Sequence, residues 1–466
     1  MEKYDVLVVG SGSGMMIAEA SVRSGLKTCL VEMGHLGGTC LNTGCIPSKM
    51  VIYPADLVNI IGHAERLGVH AKIENVDFEA IMDRTMRFIE HDRRPMEENM
   101  GRVDGLTFIH DQGEFIDYHK MKVGESVVYG ENIFLVTGSR PLIPPIKGLE
   151  NVNYLTSENV WALRKRPVSI IIVGGGFIAC EMAHFFAAMG TETTILSRSH
   201  RLLKNAEPEV SQILTANLKK RMNVETRIEV TDAKKIGDDV EVKARNEDGE
   251  AKTFIAESLL IATGRRSNAD LLKPDRTGIK LDARGFIEVN EKYETTSKRI
   301  WAFGDAIGKA MYKHVANKEA EVVWHLFNEG HFHPIDYDKI PYAVFTWPQI
   351  ASVGLTEEEA ARRGLSVLVG EYKYIDTAKG AAMMEEDGFV KIIIEENTSR
   401  LLGAHIVGAH SPILIQEVIS AMYAGEGSVY PLAEAIHIHP ALPEVVQRAV
   451  FNLRKPAHIH GHQSLY

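Results

Sequence analysis

Two cysteines with four residues between them, Cys40 and Cys45, stand in the run Gly37-Gly38-Thr39-Cys40-Leu41-Asn42-Thr43-Gly44-Cys45-Ile46-Pro47-Ser48-Lys49. At that spacing, at the start of a helix, two sulfurs can close a small disulfide ring. A helix N-terminus or a nearby cation favours the thiolate, which is the form that attacks a disulfide. The competing readings are two buried structural thiols or half of a zinc site. The remaining cysteines, Cys29 and Cys180, lie singly, so no second pair completes a zinc site. Four cysteines in 466 residues also exclude a disulfide scaffold. Redox exchange at one thiol pair is the chemistry this spacing predicts.

Two further runs could hold phosphates. Gly10-Ser11-Gly12-Ser13-Gly14 follows the apolar run YDVLVV and precedes a helical pattern. Bare glycine backbone lets a pyrophosphate approach, and the helix N-terminus favours an anion. Glu32 ends the next strand, 22 residues after Gly10, where a carboxylate can accept ribose hydroxyls. Met15 stands where the usual fingerprint has a third glycine, which predicts looser packing of helix on strand. The second run, Gly174-Gly175-Gly176-Phe177-Ile178-Ala179, matches G-x-G-x-x-A, with Ala179 in the packing position. Its following strand ends in Ser197 and Arg198, with Arg201 and Lys204 beyond, and offers no acid to the ribose. An arginine forks onto a 2′-phosphate that a carboxylate would repel, so this turn predicts NADP(H), with NAD(H) the weaker alternative.

The elements that must position these residues follow from the same text. A strand near Val6–Val9, a helix from about Met15 to Arg23 and the strand TCLVE make one βαβ unit; SIIIV, a helix from Phe177 to Met189 and TETTILS make another. From about Tyr342 to about Leu453 the composition changes to an α+β region. Net charge is −10, which argues against a nucleic-acid partner. No run of about 18 apolar residues is present, and the chain enters a strand at once, so neither a membrane span nor a signal peptide is expected. A cytoplasmic protein is the expectation. The tail carries His458, His460 and His462, which read as a frayed end, and no metal site is expected there.

GGTCLNTGCIPSK, with the two glycine turns, resembles the class I pyridine nucleotide-disulfide oxidoreductases of the glutathione reductase and dihydrolipoamide dehydrogenase type, over nearly the whole chain. The resemblance implies an α/β fold with two Rossmann-like dinucleotide-binding domains and a C-terminal α+β dimerisation domain. Expected bounds are 1–148 for the first part of an FAD-binding domain, 149–267 for an NAD(P)-binding domain, 268–340 for the second FAD-binding, central part, and 341–466 for dimerisation. It also implies FAD, a pyridine nucleotide and a homodimer with shared active sites. Cys45 is then the thiol beside the flavin and Cys40 the interchange thiol. Lys49 pairs with Glu181 next to the flavin. Gly10, Gly12, Ser13, Gly14, Glu32, Gly38, Thr39, Gly113, Gly138, Gly304 and Asp305 become flavin-side contacts, with Lys313 and His314 at the ring edge. Gly174, Gly176, Phe177, Ile178, Ala179, Arg198, Arg201, Lys204 and Gly264 fall on the nicotinamide side, Phe177 as an aromatic gate.

His439-Pro440-Ala441-Leu442-Pro443-Glu444 resembles the family's C-terminal His-Pro-x-x-x-Glu element. By that resemblance His439 is the general acid/base for the thiols of the other subunit and Glu444 orients it; His437 reads as structural. HPALPE, ATGRRSNADLL, KHVANKEA and FTWPQIASVGLTE are most similar to the mycothione reductase branch. The implied activity is NADPH-dependent reduction of a small thiol's disulfide. The alternative is NAD-linked oxidation of dihydrolipoamide in a multienzyme complex. Substrate specificity is expected from cleft residues around Tyr53 and Arg66.

Overall fold

The computed structural model describes residues 1–456; His458, His460 and His462 lie outside them. The apolar strand Glu2–Val9 has parallel neighbours on both sides, Thr28–Glu32 and Ser126–Leu135. Leu106–His110 extends the sheet beyond Thr28–Glu32, and Ile300–Ala302 adds to it in parallel beside Ser126–Leu135. A strand buried on both faces needs a continuous apolar run, and Val6, Leu7 and Val8 are fully buried. The antiparallel strands Gly113–Asp117 and Lys120–Val123 complete this seven-stranded sheet.

The chain leaves this layer through Ser139–Pro141 and returns through Arg265–Ser267, and those two strands pair antiparallel. Between them lies a four-stranded parallel sheet ordered Asn223–Thr226, Glu192–Ser197, Ser169–Val173, Ser258–Ile261. The helix Phe177–Ala188 carries an apolar face onto it, with Ala179, Ala183 and Phe186 fully buried. A three-stranded antiparallel meander, Ile228–Ile236, Asp239–Asn246 and Ala251–Ala256, lies beside it. The last layer is a five-stranded antiparallel sheet from Pro341–Val344 to Leu401–Val407, with the helices Ser411–Tyr423 and Glu444–Phe451 sharing its core.

Both βαβ units form where the apolar patterns place them, the first helix spanning Gly14–Arg23 and the second Phe177–Ala188. The expectation about Met15 is corrected. The close approach of helix to strand is made one residue earlier: a Cβ on Gly14 would meet Val8 Cγ1 at 2.9 Å and Val136 Cβ at 3.4 Å. Met15 is only partly buried and packs at the edge of the core, so its side chain does not hold the helix away.

Candidate active site

A cavity of about 920 Å³ runs from the first glycine turn to the thiol pair, at the upper end of the range for ligand sites. Its walls come from the turn, the cysteine helices, the ribbon 139–141/265–267, the Gly304–Asp305 turn and the start of the helix Lys313–Glu329. Gly10 has φ +105°, and a Cβ there would collide with Val136 O at 2.3 Å. In contrast, Gly12 and Gly138 have nothing within 4 Å of a Cβ position and so present bare backbone. Gly38 sits with its Cβ position 3.0 Å from Gly12 Cα. An extended dinucleotide with a pyrophosphate fits this glycine-lined channel, and Glu32, Gly113, Thr39 and Asp305 line it as well. The Glu32 carboxylate accepts the Ser11 N–H and the Ser11 hydroxyl, both at 2.7 Å, and the Gly34 N–H at 2.9 Å.

Cys40 ends up on the short helix Gly38–Asn42 and Cys45 opens the helix Cys45–His63. Between them a Cβ on Gly44 would strike Thr39 O at 2.9 Å, so the tight return needs glycine. Asn42 Nδ2 closes the loop onto Leu36 O and Gly38 O at 2.9 and 3.0 Å, and Trp161 Nε1 donates to Thr43 O at 3.0 Å. Both thiols are free, Cys40 half-buried and Cys45 exposed, and both line the cavity. A hydrogen bond from Cys40 is the main cause that lowers the Cys45 thiol to about 6; burial opposes this and the Lys49 charge assists. Cys40 is pushed up by the same bond, then by burial and the Cys45 charge. The pair is therefore polarised, with the negative charge on Cys45.

One turn along the helix, Lys49 Nζ meets both Glu181 oxygens at 3.0 and 2.8 Å and stands 4.4 Å from the Phe345 ring centroid. Glu181 is buried, and its Oε1 also accepts the Phe345 N–H at 3.0 Å. Asp305 Oδ2 accepts the Ser139 hydroxyl at 2.5 Å, and Arg265 Nε donates to the same hydroxyl oxygen at 2.7 Å. Lys313 Nζ donates to Ser13 Oγ at 3.0 Å; burial lowers its pKa, while the charges of Cys40, Cys45 and Asp305 raise it. His314 Nε2 bonds Pro341 O at 2.8 Å and its ring stacks on Tyr312 at 5.5 Å. Tyr312 in turn lies 6.3 Å from Phe177 and stacks on Tyr342 at 6.1 Å.

Of the residues expected on the nucleotide side, Phe177 and Ile178 reach the cavity wall, and Glu181 and Met182 of the same helix line it as well. Gly174 has φ +137° with its Cβ position 2.2 Å from Ala262 O, Gly176 faces open space, and Ala179 is fully buried on the inner face of the helix. Gly264 spends its carbonyl on the Leu142 N–H at 2.9 Å and does not line the cavity. Arg198 is 82% exposed with one long contact, 3.6 Å to Glu229. Arg201 is turned inward, donating to Lys204 O at 3.1 Å and facing Glu358 at 3.5 Å. Lys204 is exposed.

His439 Nδ1 and Glu444 Oε1 lie 2.9 Å apart, Glu444 Oε2 accepts the Ala441 N–H at 3.1 Å, and the bond to His439 holds the Glu444 carboxyl below its usual range. The His439 side chain is 71% exposed and does not line its own chain's cavity. His437 is tucked in, with Nε2 3.3 Å from Glu417. Of the two expected specificity residues, Tyr53 is exposed on the cysteine helix and Arg66 pairs with Glu386 at 2.8 Å. Sequence reasoning missed Ser139, Arg265, Tyr312 and Phe345. The repeated text Thr-Gly-Ser-Arg and Thr-Gly-Arg-Arg before each ribbon strand was a usable signal for the first two.

Residues 4–320 match the pyridine nucleotide-disulphide oxidoreductase family and residues 340–450 its dimerisation domain. The chain is 37% identical over 468 residues to mycothione reductase of Mycobacterium tuberculosis, covering 97% of this chain and all of that protein. It is 32% identical over 466 residues to dihydrolipoyl dehydrogenase of Chlamydia trachomatis, covering 98% of each. Among solved structures, the HOCl-induced flavoprotein disulfide reductase RclA of Escherichia coli, in a Cu(II) complex, superposes with a TM-score of 0.85 at 26% identity over 96% of this chain and 99% of that one. The chain belongs to the class I pyridine nucleotide-disulfide oxidoreductases and is a flavoprotein disulfide oxidoreductase acting on sulfur groups, using FAD and a pyridine nucleotide. No described helix is long and apolar enough to cross a membrane.

Proposed function

We propose that this chain is a cytoplasmic, homodimeric, NADPH-dependent reductase of low-molecular-weight disulfides. One observation carries the reading: the polarised pair Cys40 and Cys45 shares a single cavity with Lys49, its buried partner Glu181, and Phe177. When bound, FAD supplies the two-electron path between nucleotide and thiols. The chain's own residues do the exchange. His439 of the partner subunit takes the Cys40 proton, and Cys40 sulfur attacks one sulfur of the substrate disulfide. A mixed disulfide forms, and the first half leaves as a thiolate that receives that proton. The Cys45 thiolate then attacks Cys40, the second half leaves and takes a proton from solvent through His439, and the Cys40–Cys45 disulfide is restored. Two electrons and two protons have passed to the substrate. Glu444 on Nδ1 leaves Nε2 as the atom that handles protons. His439 lies off its own chain's cavity, and a second subunit bringing it to the thiols accounts for that.

Arg198, exposed where an acid would serve NAD, supports NADP(H). The mycothione reductase relative supports a small-thiol disulfide as substrate. A second reading, NAD-linked dihydrolipoamide oxidation, is favoured by the dihydrolipoyl dehydrogenase relatives. Turnover of a panel of disulfides with NADPH and NADH separates the two. Reduction of a small-thiol disulfide with NADPH well above NADH is expected; efficient dihydrolipoamide oxidation with NAD and no small-thiol activity overturns the proposal.

A further inference from the structure

Behind the Gly304–Asp305 turn, on the side away from the cavity, lies a polar cluster that the exchange chemistry does not use. Glu319, on the helix Lys313–Glu329, is wholly buried. Among the described residues no cation lies within salt-bridge distance of its carboxylate. Instead Oε2 accepts the Gly304 N–H at 2.6 Å and Oε1 accepts the Tyr337 hydroxyl. Tyr337 lies 3.0 Å, oxygen to oxygen, from the buried Tyr293 hydroxyl, and Lys309 Nζ stands 5.3 and 5.2 Å from the Tyr293 and Tyr337 ring centroids. Gly304 itself is left-handed at φ +69°, with its Cβ position 3.2 Å from Ala316 Cβ. The turn is thus held from two directions, Gly304 by Glu319 behind and Asp305 by Ser139 in front.

We infer that Glu319 is a positioning residue for the flavin: it grips the Gly304 N–H and so fixes the direction in which Asp305 faces the cavity. The inference rests on the reading of Asp305 as a flavin contact. Burial raises the Glu319 pKa, and the Tyr337 and Gly304 bonds, with the Lys309 charge, oppose that rise. An apolar side chain at 319 would leave a buried N–H without an acceptor, which is costly, whereas an amide of the same shape supplies one.

The test uses the purified FAD-loaded protein as wild type, Glu319→Leu, Glu319→Gln, Tyr337→Phe and Asp305→Ala. FAD release on dilution is followed by unmasked flavin fluorescence, and the visible circular dichroism of the bound flavin reports how its ring is held. Far-UV circular dichroism checks that each variant is folded. Glu319→Leu is expected to release FAD about ten- to a hundredfold faster and to change the flavin dichroism. Glu319→Gln should stay close to wild type, and Tyr337→Phe, which leaves the Gly304 bond in place, should fall between. Folded Glu319→Leu that holds FAD like wild type overturns the inference. If Glu319→Leu does not fold, Tyr337→Phe and Glu319→Gln decide: wild-type release and dichroism in Tyr337→Phe, or release from Glu319→Gln faster than from Tyr337→Phe, overturns it. Asp305→Ala separates the two readings. Fast release there with an unaffected Glu319→Leu sinks only the role of Glu319. Wild-type retention in Asp305→Ala sinks the reading of Asp305 and the inference with it.

Discussion

The two halves of the candidate site are built differently. On the side proposed for the flavin the charged groups already have partners within the chain: Lys49 on Glu181, Asp305 on Ser139, Lys313 on Ser13, Glu32 on Ser11. On the other side two groups given a role, Arg198 and His439, are open, while Arg201 is turned inward. Arg198 is 82% exposed with one long contact, and the His439 side chain is 71% exposed beside a Glu444 that only orients it. The enclosed half is preorganised by one chain, which suits a ligand that stays bound. On the function proposed above, the open half would leave Arg198 for a nucleotide that comes and goes and His439 for a partner subunit. Substitutions on the two halves should therefore fail in different ways.

The largest effect is expected within the enclosed half. Cys45→Ser should abolish disulfide turnover and with it the long-wavelength charge-transfer absorbance of the two-electron-reduced protein; the same band surviving in that variant would show that the two thiols have been assigned the wrong way round. In wild type the band should also report the depressed thiol. A thiol lowered to about 6 is thiolate above that pH and protonated below it, so the band should hold from neutral pH downward and fade as pH falls through about 6. A band that fades near the ordinary thiol range, two or more units higher, contradicts the polarised pair.

His439→Ala comes next. Loss of a general acid/base costs about 100- to 10,000-fold, and here the loss should fall on thiol exchange while flavin reduction by NADPH stays near wild type. Mixing inactive Cys40→Ser with inactive His439→Ala sharpens the point. A hybrid dimer holds one site with both lesions and one with neither, so partial recovery is expected once subunit exchange is shown by mass. Exchange without recovery places His439 outside the partner's site.

Arg198→Glu should cost about one to two powers of ten in NADPH affinity, since a charge-assisted bond to phosphate is worth roughly 1.5–3 kcal/mol. NADH kinetics should improve or hold. Equal use of both nucleotides by wild type would remove the motive for the open half.

The smallest effect compares the two glycine turns themselves. Gly14→Ala places a methyl 2.9 Å from Val8 Cγ1, whereas Gly176→Ala points into open space. Overpacking of this kind costs about 1–3 kcal/mol, so Gly14→Ala should lower the melting temperature clearly and Gly176→Ala much less. Equal melting temperatures would mean that the first helix can shift away from its strand at little cost.

Much of this was legible in the sequence because it is local. Period-2 and continuous apolar runs place the strands, glycines mark turns that no side chain fits, and the Cys40–Cys45 spacing is short enough for chemistry to be read from it. Glu32 after one βαβ unit and Arg198 after the other are local as well. What sequence alone left unsettled is everything made by contacts across long separations. The fingerprint put the close helix–strand approach at position 15, but packing against Val8 puts it at Gly14. Three cations follow the second turn in the text, yet Arg201 turns inward toward Glu358 from the last layer, while Arg198 stays exposed. Phe345 and Glu181 meet 164 residues apart, and Ser139 meets Asp305 across 166. Glu319 reaches back 15 residues to the Gly304 N–H while Tyr337, beyond the helix, closes its other oxygen. Such partners are chosen by how layers stack, and a linear pattern of apolar and polar residues records which face is buried without recording what is buried against it.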